Sequence, residues 1–415
     1  LRAYVEPIMT AAWLFPFVAA LITLPYMVFQ YRRYGSILLL RTTVLYSFIL
    51  YLMCAYFLTM LPLPSRETVA SLTTPYLQLE PFKDVVTWIQ KSGFVLSEPS
   101  TWRKLIINRD LFVMLANIIM TIPLGIYLRY YFGCSWKKTL MISLGMSLIF
   151  ELTQLSALFG FYPRPYRLCE TDDLITNTLG GMIGYWMAKP LMSVLPSRTR
   201  MDEIAYRRGT HVSVTRRVTA AIVDWIVLFF AFVFLFFTFP PIRPLIRQNT
   251  PASWLLVFVI LYAGLVVIYF IIGEWLQKGL TLGKRLTHIR LLDDRDGSRP
   301  KLWQCLVRYS LLYFGFMPLP FVALGLSLFA LANDSVDWML LSGGIALMLL
   351  YVTCLVIVAI GVINRSNQLP HGALSKTRNV STLVITEDMI SKVGQPLNAD
   401  PLQLPPQNKG PMLNG

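Results

Sequence analysis

Residues 150–185 read FELTQLSALFGFYPRPYRLCETDDLITNTLGGMIGY, and the reading of the whole chain turns on them. The stretch places Glu151, Gln154, Arg164, Arg167, Glu170, Asp172, Asp173 and Asn177 in or beside two segments apolar enough to cross a bilayer. Carboxylates and amides are expensive at such depth, so a cluster of them marks a functional site unless structure explains it. Helical spacing puts Ser143, Ser147, Glu151 and Gln154 on one side of the first segment. Arg167, Glu170, Asp173 and Asn177 recur every three or four residues on the second. Gly180 and Gly184 continue that stripe as a small-x-x-x-small pattern that admits a close helix neighbour. Taken singly, Gln154 or Asn177 reads as interhelical hydrogen-bond glue. Together, with Glu151 in the bilayer, these residues predict one site opening to the outer face. Arg109, at the outer end of a preceding apolar segment, and Asn117, two turns below it, are expected to complete its wall.

Composition settles the class. Of 415 residues, 55% are hydrophobic and only 14% charged, with a formal net charge of +15. A soluble domain has about a quarter charged residues, so these proportions indicate an integral membrane protein. Nucleic acid is a poor explanation for the basic excess, because the basic residues cluster between apolar runs, as orientation signals do. The five cysteines are scattered and suggest neither a disulfide framework nor a zinc site. No cleavable signal peptide is evident in the long N-terminal apolar run.

Nine apolar segments are long enough to span: roughly 8–31, 40–62, 110–132, 139–160, 173–195, 218–240, 253–275, 305–331 and 339–363. The expected fold class is therefore all-α and polytopic. With the N-terminus outside and the C-terminus inside, 26 of the 37 Lys and Arg residues fall on the inner side. The reversed topology inverts that bias, so N-out, C-in is expected. The segment 63–108 then lies outside, with Trp88 and Trp102 suited to the interface. The expected domains are 1–195, a basic linker at 196–215, a second module at 216–385, and a disordered cytoplasmic tail at 386–415, rich in Pro, Gln, Asn and Gly.

In the second module Arg217 and Asp224 are seven residues apart and share a helical face. They are expected to form one buried pair near the inner surface, with Ala220 and Ala221 leaving room for a neighbour. Further on come TLGKR (281–285), a β-like run HIRLLDD (288–294) and a turn at Asp296-Gly297.

Two resemblances rest on these residues. FExxQ, then YRxxExDDLxxNTLGGxxGY, with Asn117-Ile118 and Ile122-Pro123-Leu124-Gly125 upstream, resembles the VanZ-like family of bacterial membrane proteins. Where relatives commonly read R-x-F-D, this chain has Cys169 and Glu170. RVTAAIVD, TLGKRLxxIRLLDxxDG and a late HGALSKT resemble the RDD family, with Arg217 and Asp224 at the arginine and first aspartate. The late motif usually reads His-Asp, whereas here it is His371-Gly372. The first resemblance implies a cell-envelope role in the bacterial cytoplasmic membrane, touching susceptibility to teicoplanin-type antibiotics. Some relatives of the second are cation/proton antiporters.

Three functional classes follow. One is an envelope protein binding a lipid-linked cell-wall precursor or an anionic membrane-lipid headgroup, with Arg164 and Arg167 holding phosphate. Another is a cation, proton or lipid carrier using Glu151 and Asp224. The third is an enzyme on a membrane lipid using Glu170, Asp172 and Asp173, and it is the weakest. There is no G-x-S-x-G, H-E-x-x-H or P-loop, and His211, His288 and His371 all lie on the inner side. No cofactor and no metal is expected.

Overall fold

A computed structural model describes residues 2–332, 336–363 and 369–383. The tail expected at 386–415 lies outside these residues. Two long apolar helices come first, α1 (Arg2–Tyr34) and α2 (Leu39–Met60), and pack on each other. A cap of short elements follows, made of α3 (Arg66–Ala70), β1 (Leu77–Gln78), α4 (Lys83–Ser92) and α5 (Pro99–Ile106). Trp88 Nε1 donates to Leu105 O at 2.9 Å and ties α4 to α5. Next are α6 (Arg109–Tyr130), α7 (Trp136–Leu155), the short turn α8 (Ala157–Gly160), β2 (Cys169–Glu170) and α9 (Thr171–Val194). Asn108 caps α6 by accepting from Asp110 N.

Close packing of α9 against α6 and α7 follows from its glycines. A Cβ at Gly180 would meet Thr121 and Ile118 O, one at Gly184 would meet Ile122 O, and one at Gly181 would meet the Ser143 hydroxyl. The backbones therefore approach as the small-x-x-x-small pattern predicts. The first helix of the polar pair ends at Leu155 rather than near 160. Ala157, Leu158 and Phe159 take positive φ values of 54°, 53° and 56°, which an α-helix cannot continue through.

The expected linker is a helix, α10 (Arg198–Gly209), and it is fastened to the start of the chain. Arg41 forms an ion pair with Asp202, and Ser36 Oγ donates to Ala205 O at 2.6 Å. Met201 and Ala205 pack on Tyr34 and Leu38.

The second module comprises α11 (Val214–Thr238), α12 (Arg243–Gln248), α13 (Pro251–Val266), α14 (Glu274–Leu276), α15 (Leu282–Leu286), β3 (Ile289–Asp293), α16 (Leu302–Tyr309), α17 (Leu319–Ala332), α18 (Trp338–Ile363), α19 (Pro370–Ser375) and β4 (Thr377–Ser381). Two π-helical stretches, Val267–Gly273 and Ser310–Phe316, lead into α14 and out of α16. The β-like run HIRLLDD is a strand, and β3 pairs antiparallel with β4, with Leu291 opposite Asn379. Its core gathers Leu228, Val266, Phe270, Leu291, Tyr309 and Tyr313.

Among the described residues, seven helical stretches are long and apolar enough to cross a membrane: Val5–Tyr34, Leu39–Met60, Arg109–Tyr130, Val214–Thr238, Pro251–Leu276, Leu302–Leu331 and Trp338–Gly361. The chain is an all-α, multi-pass membrane protein with two minimal sheets. The other two segments in the nine-span expectation are α7 and α9, of 20 and 24 residues. Their length suffices, but they carry the polar stripes that hold the site.

Candidate functional site

The two polar stripes face each other. Glu151, 3% exposed, accepts from the Glu170 backbone N–H at 3.0 Å, so a buried carboxylate sits at the N-terminus of α9. That position suits a negative charge, since the first amides of a helix are unpaired donors. Asn117 Nδ2 donates to Asp173 Oδ1 at 2.7 Å. Ser147 Oγ donates to Asp173 O at 3.2 Å and accepts from Asn177 Nδ2 at 3.0 Å. The carbonyl of Asp173 can only accept, so Ser147 must donate to it and Asn177 must present its amino group to Ser147. The free atom of Asn177 is therefore Oδ1, buried and without a partner.

Sequence spacing alone does not reveal Asp84. Asp172 accepts from Phe82 N at 2.5 Å and Asp84 N at 2.7 Å, serving as the cap that α4 lacks locally. This anchors the cap over α9 and brings the Asp84 carboxylate near that of Glu170. Burial first, then the Asp84 and Asp173 carboxylates, push Glu170 up to about 8. The Cys169 thiol, beside Glu151, is pushed up to about 11 by burial and then by that carboxylate.

Glu151, Glu170, Asp173, Asn177 and Asn117 are thus brought together, and other predicted members are placed elsewhere. Gln154 donates to Thr59 O at 3.1 Å and joins α7 to the end of α2. Arg164 is not available to hold a phosphate, because its guanidinium donates to the carbonyls of Leu72 and Thr74 in the cap. Arg167 donates to Leu61 O at 2.6 Å, with its charge still directed at Asp173. Arg109 is exposed at the start of α6 and does not form part of the wall. With both loop arginines holding backbone carbonyls, the cluster is acidic. The anionic headgroup expected here would approach Asp84, Glu170, Glu151 and Asp173, and like charges repel it.

In the second module the expected ion pair is replaced by a different arrangement. Asp224 accepts from Tyr269 Oη at 2.6 Å, Thr281 Oγ1 at 2.7 Å and Gly283 N at 2.7 Å. Arg217 makes no ion pair with it among the described residues, although both line one cavity. The physical reason is local: Asp224 meets the first turn of α15, whose hydroxyl and amide donors saturate it. Gly283 is needed there, since a Cβ would meet Ala220 O and lie 2.9 Å from Asp224 Cγ. The saturated arginine is instead Arg216, fully buried. It donates to Thr287 O at 2.6 Å, Gly209 O at 2.9 Å, His288 O at 2.8 Å and Ser381 Oγ at 3.2 Å.

A second buried network carries no sequence signature. Lys284 pairs with Glu274, and Tyr309 bonds to Glu274 and accepts from Lys284 Nζ at 2.9 Å. The π-helical stretches end before Glu274 and begin after Tyr309, which is how three elements present these groups to one point. Burial and the charges of Arg308, Lys284 and Arg217 lower His371 to about 3.

Residues 48–195 match the family model described as VanZ/LLP1, and residues 211–375 match the RDD family model. The chain joins a VanZ-like module to an RDD module. Both families indicate a membrane protein of the cell envelope. No curated protein and no solved structure matches it.

Proposed function

We propose that this envelope protein uses the outer end of its VanZ-like module to hold a cationic group, an amine carried by a membrane lipid or a lipid-linked cell-wall intermediate. The chain would sit N-out, C-in in a bacterial cytoplasmic membrane. The observation that supports this reading is the acidic cluster itself: Asp172 fixes the start of α4 and so brings Asp84 toward Glu170, at the half-buried edge in front of Glu151 and Asp173. Two such groups share a proton readily, and an ammonium can replace that proton by bonding both. Asn177 Oδ1 adds an unpaired acceptor deeper in the same cluster. The carrier reading through Asp224 gains less, because three donors hold that carboxylate in place.

The test uses purified full-length protein and dicyclohexylcarbodiimide, which modifies protonated, poorly solvated carboxyls. At pH 7, Glu170 should be the modified residue, and octylammonium should protect it while octanol does not. Equal protection by both, or no modification of Glu170, refutes the reading. Orientation is checked with single cysteines at Pro163 and Ser298, both exposed positions. An impermeant thiol reagent should label 163 and not 298 in intact cells. In a strain whose teicoplanin susceptibility depends on the protein, Glu170→Gln with Asp84→Asn should behave as a deletion at normal abundance.

A further inference from the structure

The RDD module contains a cavity of about 930 Å³, bounded by α11, α16, the π-helical stretch after it and the α19–β4 corner. Small-molecule sites usually occupy roughly 300–1,000 Å³, so this volume is ample for a ligand. The two ends of the cavity differ. One is formed by Arg217, Lys284, Arg308, His371 and Asn379. The other runs along α11 past Ile222, Ile226, Phe229 and Phe230, all exposed on a helix long and apolar enough to cross a membrane.

The polar end carries unbalanced positive charge. Lys284 is neutralised by Glu274, and the remaining carboxylate of the lining, Asp224, held by three neutral donors, balances only one of the two arginines. Arg217 and Arg308 have no carboxylate partner among the described residues. Arg308 is 6% exposed and donates Nη1 to the Thr377 hydroxyl at 2.9 Å. Arg217 makes one long bond, 3.4 Å to Val212 O, and its buried Nε has no partner. Gly372 leaves the flank of Arg308 open, for a Cβ there would stand 3.1 Å from Nη1. A desolvated guanidinium without a counter-charge is unfavourable, and phosphate geometry matches its fork.

We propose that this cavity binds an anionic membrane lipid, its phosphate meeting Arg217 and Arg308 and its chain lying along the apolar face of α11. A soluble phosphate would satisfy the arginines but leave the lateral apolar opening uncovered, which is why a lipid is the occupant. This site is at the basic end of the RDD module and is independent of the acidic cluster in the VanZ-like module.

The experiment is native mass spectrometry of the full-length protein, delipidated in neutral detergent and then offered phosphatidylglycerol, phosphatidylcholine or glycerol 1-phosphate. One equivalent of phosphatidylglycerol should be retained at least tenfold over phosphatidylcholine. Arg217→Gln should reduce that retention at least tenfold. Gly372→Asp should do the same by placing a carboxylate beside Arg308. Should Gly372→Asp fail to elute as folded protein, Arg217→Gln at its half-buried position decides alone. Equal retention of the two lipids, or undiminished binding by Arg217→Gln, overturns the proposal. Binding of glycerol 1-phosphate without retention of phosphatidylglycerol overturns it in favour of a soluble anion.

Discussion

Glu151 and Asp224 pose the same physical problem, a carboxylate inside a helical membrane module, and the chain solves it in two ways. Asp224 receives two hydroxyls and one backbone amide, so both of its oxygens are hydrogen-bonded. Glu151 receives one backbone amide and has the Cys169 thiol and other carboxylates as neighbours. The first arrangement fixes a fold; the second leaves capacity for another proton or cation. Burial alone does not separate them, since both are nearly inaccessible. The number and kind of donors does. Arg216 and Arg217 repeat the contrast with opposite charge. Arg216 is sealed by four carbonyls and a hydroxyl, whereas its neighbour faces a cavity with an unpaired Nε.

The contrast is most exposed to failure at Asp224. Asp224→Ala strands three buried donors, and stranded donors cost about 1–3 kcal/mol each, so a loss of about 4 kcal/mol or more is expected. Glu151→Gln keeps an oxygen for the Glu170 amide and should stay within about 1 kcal/mol. Thermal unfolding of both variants in one detergent measures the difference. Similar losses would erase the distinction between a structural acid and a site acid.

A somewhat smaller effect is expected at the other buried charge of the RDD module. Glu274→Met leaves Lys284 buried without its partner and should destabilise by about 3–5 kcal/mol. Adding Lys284→Met should recover most of that loss. If the double variant is as unstable as the single, the pair does more than balance charge.

The last effect concerns pH. Glu170 lies at about 8 in the folded protein against an ordinary 4.5. A raised carboxyl favours the folded state while it is protonated, so its contribution is complete below about pH 4.5. It is lost as pH rises through about 8. The unfolding temperature should therefore fall between pH 5 and 9, and Glu170→Gln should flatten that part of the profile. An unchanged slope in the variant assigns the titration to other groups.

Much of this was readable from the residues. The two modules, the facing polar stripes, the glycine-mediated approach of α9 and the strand at 289–293 all follow from local periodicity and small residues. What escaped depends on partners distant in sequence. Asp84 joins the cluster because Asp172 caps α4, and capping across 88 positions leaves no local pattern. Arg164 and Arg167 are held by backbone carbonyls, acceptors that every residue carries and no motif reveals. The choice between Arg216 and Arg217 rests on a rotation of about 100° per residue around α11, and spacing to Asp224 favours the wrong one. Helix ends were misjudged where residues 157–159 turn left-handed, which nothing in ALFG announces.

The pairing of β3 with β4 has a consequence for the order of events during synthesis. β3 emerges before α16, α17 and α18, and its ladder partner β4 emerges after them. The Ser381 bond to Arg216 and the Thr377 bond to Arg308 wait for the same strand. On the ribosome, two arginines at the head of helices already in the membrane stay without these partners until residues 377–381 have been made. The RDD module is therefore completed from its far end. A nascent chain that has made β3 but not yet residues 377–381 carries that edge without its β4 partner.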